Sequence, residues 1–215
     1  MKITDVEPIV VSWPPFENSF WTSLNRIGQV SELVVLVHTD EGMVGIGEAH
    51  GGSMHYIDNT GVAHISGAGS TVTDILKPLL IGENPLDNER LWSKMFGLTY
   101  QKGWSQIGAT RPQILAAMAA VDIALWDIKG KAANMPVWRL LGGYRNTVPC
   151  YVTGGYYQDG KTIDDLAIEC KGYVETGYNA IKLKIGGVPV EEDVDRVTAV
   201  REAVGPGIDI MVDVN

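Results

Sequence analysis

Strand and helix patterns alternate along residues 144–215, and this alternation limits the possible folds more strongly than any other feature of the chain. Gly177 ends the first helical pattern and Gly205 ends the second. A β-α-β-α-β order is typical of a parallel sheet covered by helices. We predict these elements in order: strand Val148–Thr153, helix Thr162–Thr176, strand Asn179–Ile185, helix Val190–Val204 and strand Ile208–Val214.

The N-terminal part of the chain has a β-rich pattern instead. Strand-like runs cover Ile3–Trp13 and Leu33–His38, and the second run continues through an acidic turn ending in Gly42 to another strand, as in a hairpin. Two long loops interrupt this region, at Pro14–Gly28 and His50–Gly69. Loops of this length in a compact domain are usually functional or mobile.

Helical patterns follow the strands, and the clearest covers Arg111–Ala133. Thr110 precedes it and Gln113 lies three residues later, which is the pattern of a capping box. We therefore predict an α+β domain over residues 1–143 and a βα-repeat domain over residues 144–215.

The composition excludes several classes of partner. The formal charge is −9 and the pI about 4.9, the opposite of the basic balance usual in proteins that bind a nucleic-acid duplex, so we expect no nucleic acid. We expect no membrane span and no signal peptide, because no long apolar run is present. Cys150 and Cys170 are too few for a disulfide scaffold, so we expect a reduced, cytoplasmic protein.

The strand Asn179–Ile185 carries two lysines on one face. Side chains alternate along a strand, so Lys182 and Lys184 share a face while Ile181 and Leu183 share the other. Two close ammonium groups disfavour each other's charge, so we expect the pKa of at least one to fall, which would make it a usable general base. The same residues also fit a pairing of each lysine with a carboxylate, or an exposed edge strand.

The next strand places Asp213 and Asn215 on one face at its carboxyl end. Active sites of barrels and doubly wound sheets lie at these ends, and a carboxylate there is a typical ligand for a hard cation. An aspartate that caps the following loop is the alternative.

Three motifs together resemble a known family. The run Ala117–Lys131, continuing to Pro136–Val137 and Leu140–Gly142, closely resembles the N-terminal signature of mandelate racemase and muconate-lactonizing enzymes of the enolase superfamily. Lys182–Lys184 looks like that family's paired lysines on the second barrel strand, and Asp213–Asn215 looks like its third-strand motif.

This resemblance implies a fold and a mechanism. The fold would be an α+β N-terminal capping domain followed by an incomplete (β/α) TIM-type barrel, with three of its eight strands present. Asp213 would bind Mg²⁺, which would coordinate the substrate carboxylate. Lys184 would take the α-proton, Lys182 and the metal would stabilise the enediolate, and Asn215 would orient the substrate carboxylate.

The implied substrate is a small carboxylate such as an acid sugar. Protonation on the opposite face would give racemisation, and loss of a β-hydroxyl would give dehydration; a cycloisomerase or epimerase of the muconate-lactonizing type is the alternative. Family members close the site with two loops that match Pro14–Gly28 and His50–Gly69. Trp21, His55 and Tyr56 are therefore candidate substrate contacts, with ordinary loop packing as the other interpretation. A homo-oligomer is also expected.

The family's remaining carboxylate ligands and its second acid/base group belong to strands after Asn215. A complete barrel takes about 250 residues, and three strands leave an open sheet edge. We therefore expect this chain to be a piece of a longer enzyme, and to be inactive and poorly folded on its own. The alternative from another functional class is a non-catalytic structural or binding chain that keeps only the signature helix.

Overall fold

A computed structural model describes residues 1–50, 67–100 and 108–215, together with the backbone of two short strands between residues 50 and 67. The chain forms two compact units. The first contains Met1–Trp13 and Ser31–Asn146, and the second contains Pro14–Val30 and Thr147–Asn215. The boundary expected at residue 143 stays a prediction.

The elements are named here in chain order. The described strands are β1 (Ile3–Ser12), β2 (Phe20–Trp21), β3 (Arg26–Ile27), β4 (Ser31–Thr39), β5 (Val44–Ala49), β6 (His55–Ile57), β7 (Ala63–Ile65), β8 (Val152–Gly154), β9 (Tyr157–Gln158), β10 (Ala180–Lys184) and β11 (Asp209–Asp213). The described α-helices are α1 (Ala68–Thr71), α2 (Lys77–Leu80), α3 (Asn88–Phe96), α4 (Arg111–Ala132), α5 (Val137–Leu140), α6 (Ile163–Glu175) and α7 (Val190–Val204). A π-helical stretch, Val72–Leu76, joins α1 to α2, and a 3-10 helix, Gly97–Tyr100, follows α3.

The first unit contains an antiparallel sheet in the order β1-β4-β5. Leu33, Val35 and Val37 of β4 are fully buried, because alternate side chains of a strand face the same side. Strands β6 and β7 form a separate antiparallel pair. Within the described part of the chain, no helix is long and apolar enough to cross a membrane.

Helix α4 packs against β5 with very little space between them. A Cβ on Gly45 or Gly47 would overlap the backbone carbonyl groups of Ala124 and Ala120. The predicted capping box is confirmed, with the side chain of Thr110 accepting from the N–H three residues later. The close approach therefore depends on two strand positions without side chains.

The second unit contains a parallel sheet in the order β11-β10-β8. Helices α6 and α7 pack on it and cover a small apolar core, formed by Leu166, Cys170, Ile181, Leu183 and Val200. The predicted fold class is confirmed: an α+β region is followed by β-α-β-α-β with parallel strands. Strand β8 begins at Val152 rather than Val148, as Pro149 has no N–H to donate to a ladder.

The segment Pro14–Val30 belongs to the second unit and contains two short strands rather than a plain loop. Strand β2 pairs antiparallel with β3 and with β9, in the order β3-β2-β9. The hydroxyl of Ser23 also donates to the carbonyl oxygen of Val214. These contacts attach the segment to β9 and to the residue that follows β11.

Candidate active site

Strand β10 directs Lys182 and Lys184 away from the core. Its other face buries Ile181 and Leu183 beneath the helices of the second unit. Lys184 is only 7% exposed, an unusual position for a lysine unless its ammonium group has a partner. The alternation predicted from the sequence therefore leads both ammonium groups to the same side of the sheet.

Asp213 is the shared partner of the two lysines. The Nζ atom of Lys184 lies 2.7 Å from Asp213 Oδ2, and the Nζ atom of Lys182 lies 2.9 Å from the same oxygen. These hydrogen bonds, first from Lys184 and then from Lys182, hold the pKa of Asp213 well below its ordinary value, because they stabilise the carboxylate form. Asp213 is consequently ionised at neutral pH.

For Lys182 the outcome is the opposite of the fall in pKa that repulsion between two ammonium groups predicts. The hydrogen bond with Asp213 raises the pKa of Lys182 and outweighs burial, which lowers it. The sequence argument considered the two positive charges without the carboxylate between them. Of the arrangements that the residues left open, the structure contains the lysine–carboxylate pairing.

Two tyrosines that sequence reasoning missed lie beside the lysines. The Nζ atom of Lys182 is 5.8 Å from the ring centroid of Tyr151, and that of Lys184 is 5.9 Å from the ring centroid of Tyr156. Both distances allow a cation–π attraction. Strand parity could have identified Tyr151, because Thr153 is the register partner of Lys182 and residues two apart share a face. Tyr156 follows the strand, where no alternation applies.

The predicted substrate contacts have different surroundings. The backbone N–H of Asn215 donates to Asp213 Oδ1 at 2.9 Å, so Asn215 lies beside the carboxylate that both lysines bind. Trp21 instead stacks on Tyr157, with ring centroids 6.0 Å apart, and the Arg26 guanidinium lies 4.5 Å from its ring centroid. These contacts pack the segment Pro14–Val30, so a role of Trp21 toward substrate stays a prediction.

His55 and Tyr56 form part of the backbone of β6. Their side chains lie outside the described residues. Their proposed contact with substrate therefore also stays a prediction.

Asp213 has the chemistry of a ligand for a hard cation. It lies at the carboxyl end of a parallel strand, and carboxylate oxygens suit Mg²⁺. Among the described residues, no group of three His, Cys, Asp or Glu side chains is placed to hold a metal ion. Asp213 thus fits as one donor, and a complete ligand set requires others.

Comparison with known proteins decides the family. A family model described as mandelate racemase/muconate lactonizing enzyme, N-terminal domain, matches residues 4–142, and one described as enolase C-terminal domain-like matches residues 165–215. The chain belongs to the mandelate racemase/muconate lactonizing enzyme family. The resemblance inferred from the signature helix and the two strand motifs is thereby confirmed.

Relatives in the mandelate racemase/muconate lactonizing enzyme family differ in the reactions they are named for. Arabinonate dehydratase from Saccharolobus solfataricus is 40% identical over 83% of this chain and 44% of its own length. D-galactarolactone cycloisomerase from Agrobacterium fabrum is 32% identical over 100% of this chain and 52% of its own length. This chain therefore spans about half the length of the curated relatives it matches.

A solved structure of the same family has a similar fold. It is a mandelate racemase/muconate lactonizing enzyme from a marine actinobacterium in complex with magnesium. The TM-score is 0.75 at 34% sequence identity, and the match covers 100% of this chain and 52% of that one.

Proposed function

We propose that the protein containing this chain removes the α-proton of a small carboxylate substrate with Mg²⁺ as cofactor, as an acid-sugar dehydratase or a racemase. One observation carries the proposal: two lysines from one strand meet a single carboxylate at the carboxyl ends of neighbouring parallel strands. Catalytic groups of β/α barrels lie at these strand ends. Family membership and the names of the relatives support the same reaction class.

The roles follow from the chemistry of each side chain. As the neutral amine, Lys184 would accept the α-proton at Nζ, and Lys182 would donate a hydrogen bond to the oxygen where enediolate charge develops. Asp213 would hold Mg²⁺, which when bound supplies positive charge toward the substrate carboxylate. Asn215, two residues after the end of β11, would orient that carboxylate.

Acid sugars are the proposed substrate class, because the arabinonate dehydratase relative is named for one. In a dehydratase, loss of the β-hydroxyl follows α-proton removal; in a racemase, a proton returns on the opposite face. A cycloisomerase or epimerase is the second candidate, favoured by the D-galactarolactone cycloisomerase relative. A homo-oligomeric state and a cytoplasmic location stay predictions of the sequence.

Exchange of the substrate α-proton with solvent deuterium tests the proposal. The intact protein that contains this chain is incubated with Mg²⁺ and a panel of sugar acids that includes arabinonate, and exchange is followed by proton NMR. Lys184→Ala is expected to abolish exchange, whereas Lys171→Ala, at an exposed position of α6, is expected to retain it. Equal exchange in Lys184→Ala and the wild type would remove Lys184 as the base, and no exchange with any sugar acid would contradict the function.

A further inference from the structure

A buried cluster of Tyr157, Asp193 and Arg196 lies in the second unit apart from the two lysines. The three residues are 3%, 8% and 6% exposed, respectively. The hydroxyl of Tyr157 donates to Asp193 Oδ1 at 2.6 Å, and the Arg196 guanidinium lies 4.2 Å from the centroid of the tyrosine ring. Arg196 Nε also lies 3.5 Å from Asp193 Oδ1. A buried ion pair contributes little stability by itself, so the groups that this cluster holds in place are more informative about its role.

The cluster binds the turn that follows Lys184. Asp193 Oδ2 accepts the backbone N–H of Gly186 at 2.7 Å, and the Tyr157 hydroxyl oxygen accepts the N–H of Gly187 at 3.1 Å. Two successive amides of the turn are thus held by two side chains from other elements. Burial, followed by the hydrogen bond to Asp193, raises the pKa of Tyr157 to about 12, so this hydroxyl keeps its proton at neutral pH.

The same turn contacts the strand that carries Asp213. The N–H of Ile185 donates to the backbone carbonyl of Asp213 at 3.0 Å. Gly186 has φ of 86°, and a Cβ there would lie 2.7 Å from the side chain of Val214. A shift of this turn would therefore displace the ends of both strands, and with them Lys184.

Tyr157 also binds the segment Pro14–Val30. Its ring stacks on Trp21 with an interplanar angle of 21°, and the two residues are register partners between β2 and β9. Arg196 Nη2 donates to the carbonyl of Gly155 at 2.8 Å and so holds the chain just before Tyr157.

We propose that Tyr157 and Asp193 are positioning residues that hold the turn 185–187, and thereby the Nζ atom of Lys184, and that tie this turn to the segment Pro14–Val30. The catalytic part of this inference rests on the proposed function of Lys184, whereas the ordering of the turn does not. Misplacing a catalytic group by about 1 Å costs on the order of 100-fold in rate. The cluster contacts the backbone that follows Lys184 and not its side chain. It therefore controls the Nζ atom indirectly, through the position of the end of β10.

The test uses two substitutions at each position in the intact protein. Tyr157→Phe removes the hydroxyl and keeps the ring on Trp21, while Tyr157→Ala also removes the ring. Asp193→Asn leaves one acceptor oxygen for two donors, and Asp193→Ala leaves none. A matched control is Tyr173→Phe, which removes a hydroxyl that donates to the carboxylate of Glu169 at 2.7 Å on α6.

Two measurements are made at a temperature where circular dichroism shows every variant folded. The kcat of α-proton exchange is expected to fall about 10- to 100-fold in Tyr157→Phe, with KM within about twofold of the wild type. The kcat of Asp193→Asn should fall less than that of Asp193→Ala. Amide hydrogen–deuterium exchange of Gly186 and Gly187 should speed up in the same variants, and Tyr157→Ala should also speed up exchange in residues 14–30. Tyr173→Phe should change neither measurement.

The outcomes separate this inference from the proposed function. Wild-type kcat and wild-type amide exchange in Tyr157→Phe would overturn the inference, as would a lower melting temperature with kcat unchanged in the folded variant. If the wild type exchanges no α-proton, the proposed function fails. Amide hydrogen–deuterium exchange of Gly186 and Gly187 then decides whether the cluster orders the turn 185–187. Faster exchange at these amides then supports the ordering of the turn, and unchanged exchange overturns it.

Discussion

The Nζ atom of Lys184 lies 2.7 Å from Oδ2 of Asp213, and the two residues are register partners on adjacent parallel strands. The approach is therefore set by the hydrogen-bond ladder of the sheet. Groups supported by strands are held more rigidly than groups on loops. Lys182 lies 2.9 Å from the same oxygen of Asp213, and its pKa is the subject of the first prediction.

Asp213→Asn is expected to lower the pKa of Lys182. The hydrogen bond with Asp213 is the largest cause of the raised pKa, and an amide supplies no negative charge to stabilise the ammonium form. The pKa of Lys182 can be followed by NMR titration of ¹³C-labelled lysine in a buffer that contains a chelator. Asp195→Asn, at an exposed position of α7, is the control. An unchanged pKa of Lys182 in Asp213→Asn would show that another group sets it.

Gly47→Ala is expected to reduce the free energy of unfolding by about 1–3 kcal/mol, the usual cost of overpacking. The new methyl group would overlap the carbonyl group of Ala120, so α4 and β5 must move apart. Urea unfolding followed by circular dichroism measures the change. Gly28→Ala is the control, since a Cβ at Gly28 meets no atom within 4 Å. Equal stability of the two variants would show that α4 and β5 separate at no cost.

The ion pairs of Glu83 are expected to stabilise the protein only above acidic pH. Hydrogen bonds from Arg90, then from Lys94, lower the pKa of Glu83 from 4.5 to about 2. In the unfolded chain this carboxyl group takes up its proton at higher pH than in the folded protein, so the stabilisation is complete above about pH 4.5 and disappears as pH falls toward 2. Urea midpoints of the wild type and Glu83→Gln should therefore differ most near neutral pH, and the difference should shrink steadily as pH falls from about 4.5 toward 2.

The double variant Arg90→Gln/Lys94→Gln is the control for that titration. It leaves Glu83 in place but removes both cations, so its stability should lose the same dependence on pH. A difference between the wild type and Glu83→Gln that is as large near pH 3 as near pH 7 would contradict the assignment.

Much of the site follows from local patterns in the sequence. Alternation along β10 was enough to place Lys182 and Lys184 on one face, because a strand repeats every two residues. Asp213 shares that side of the sheet because it is the register partner of Lys184 on the neighbouring strand. The ends of α6 also followed from local chemistry, since Thr162 forms the capping box that starts this helix and Gly177, with φ of 104°, follows its end. Such features depend on neighbours in the chain, which the sequence displays directly.

Other features depend on residues far apart in the chain. Pairing of β2 with β9 involves two residues on each strand, too few to produce a periodic pattern. The hydrogen bonds of Asp193 with Tyr157 and Gly186 join separate elements, so the aspartate reads in sequence as an ordinary acidic residue in the first turn of a helix. The shared carboxylate of Asp213 was likewise visible only once two strands had been brought into register.

The pairing of β2 with β9 has a consequence for inheritance. The second unit is made from two stretches of chain. In the gene, the coding sequence for Ser31–Asn146 of the first unit lies between the coding sequences for these two stretches. A single recombination event near residue 143 would therefore combine Phe20–Trp21 of one parent with Tyr157–Gln158 of the other. Hybrids of this chain with a relative would keep β2 and β9 from the same parent only if both stretches were exchanged together.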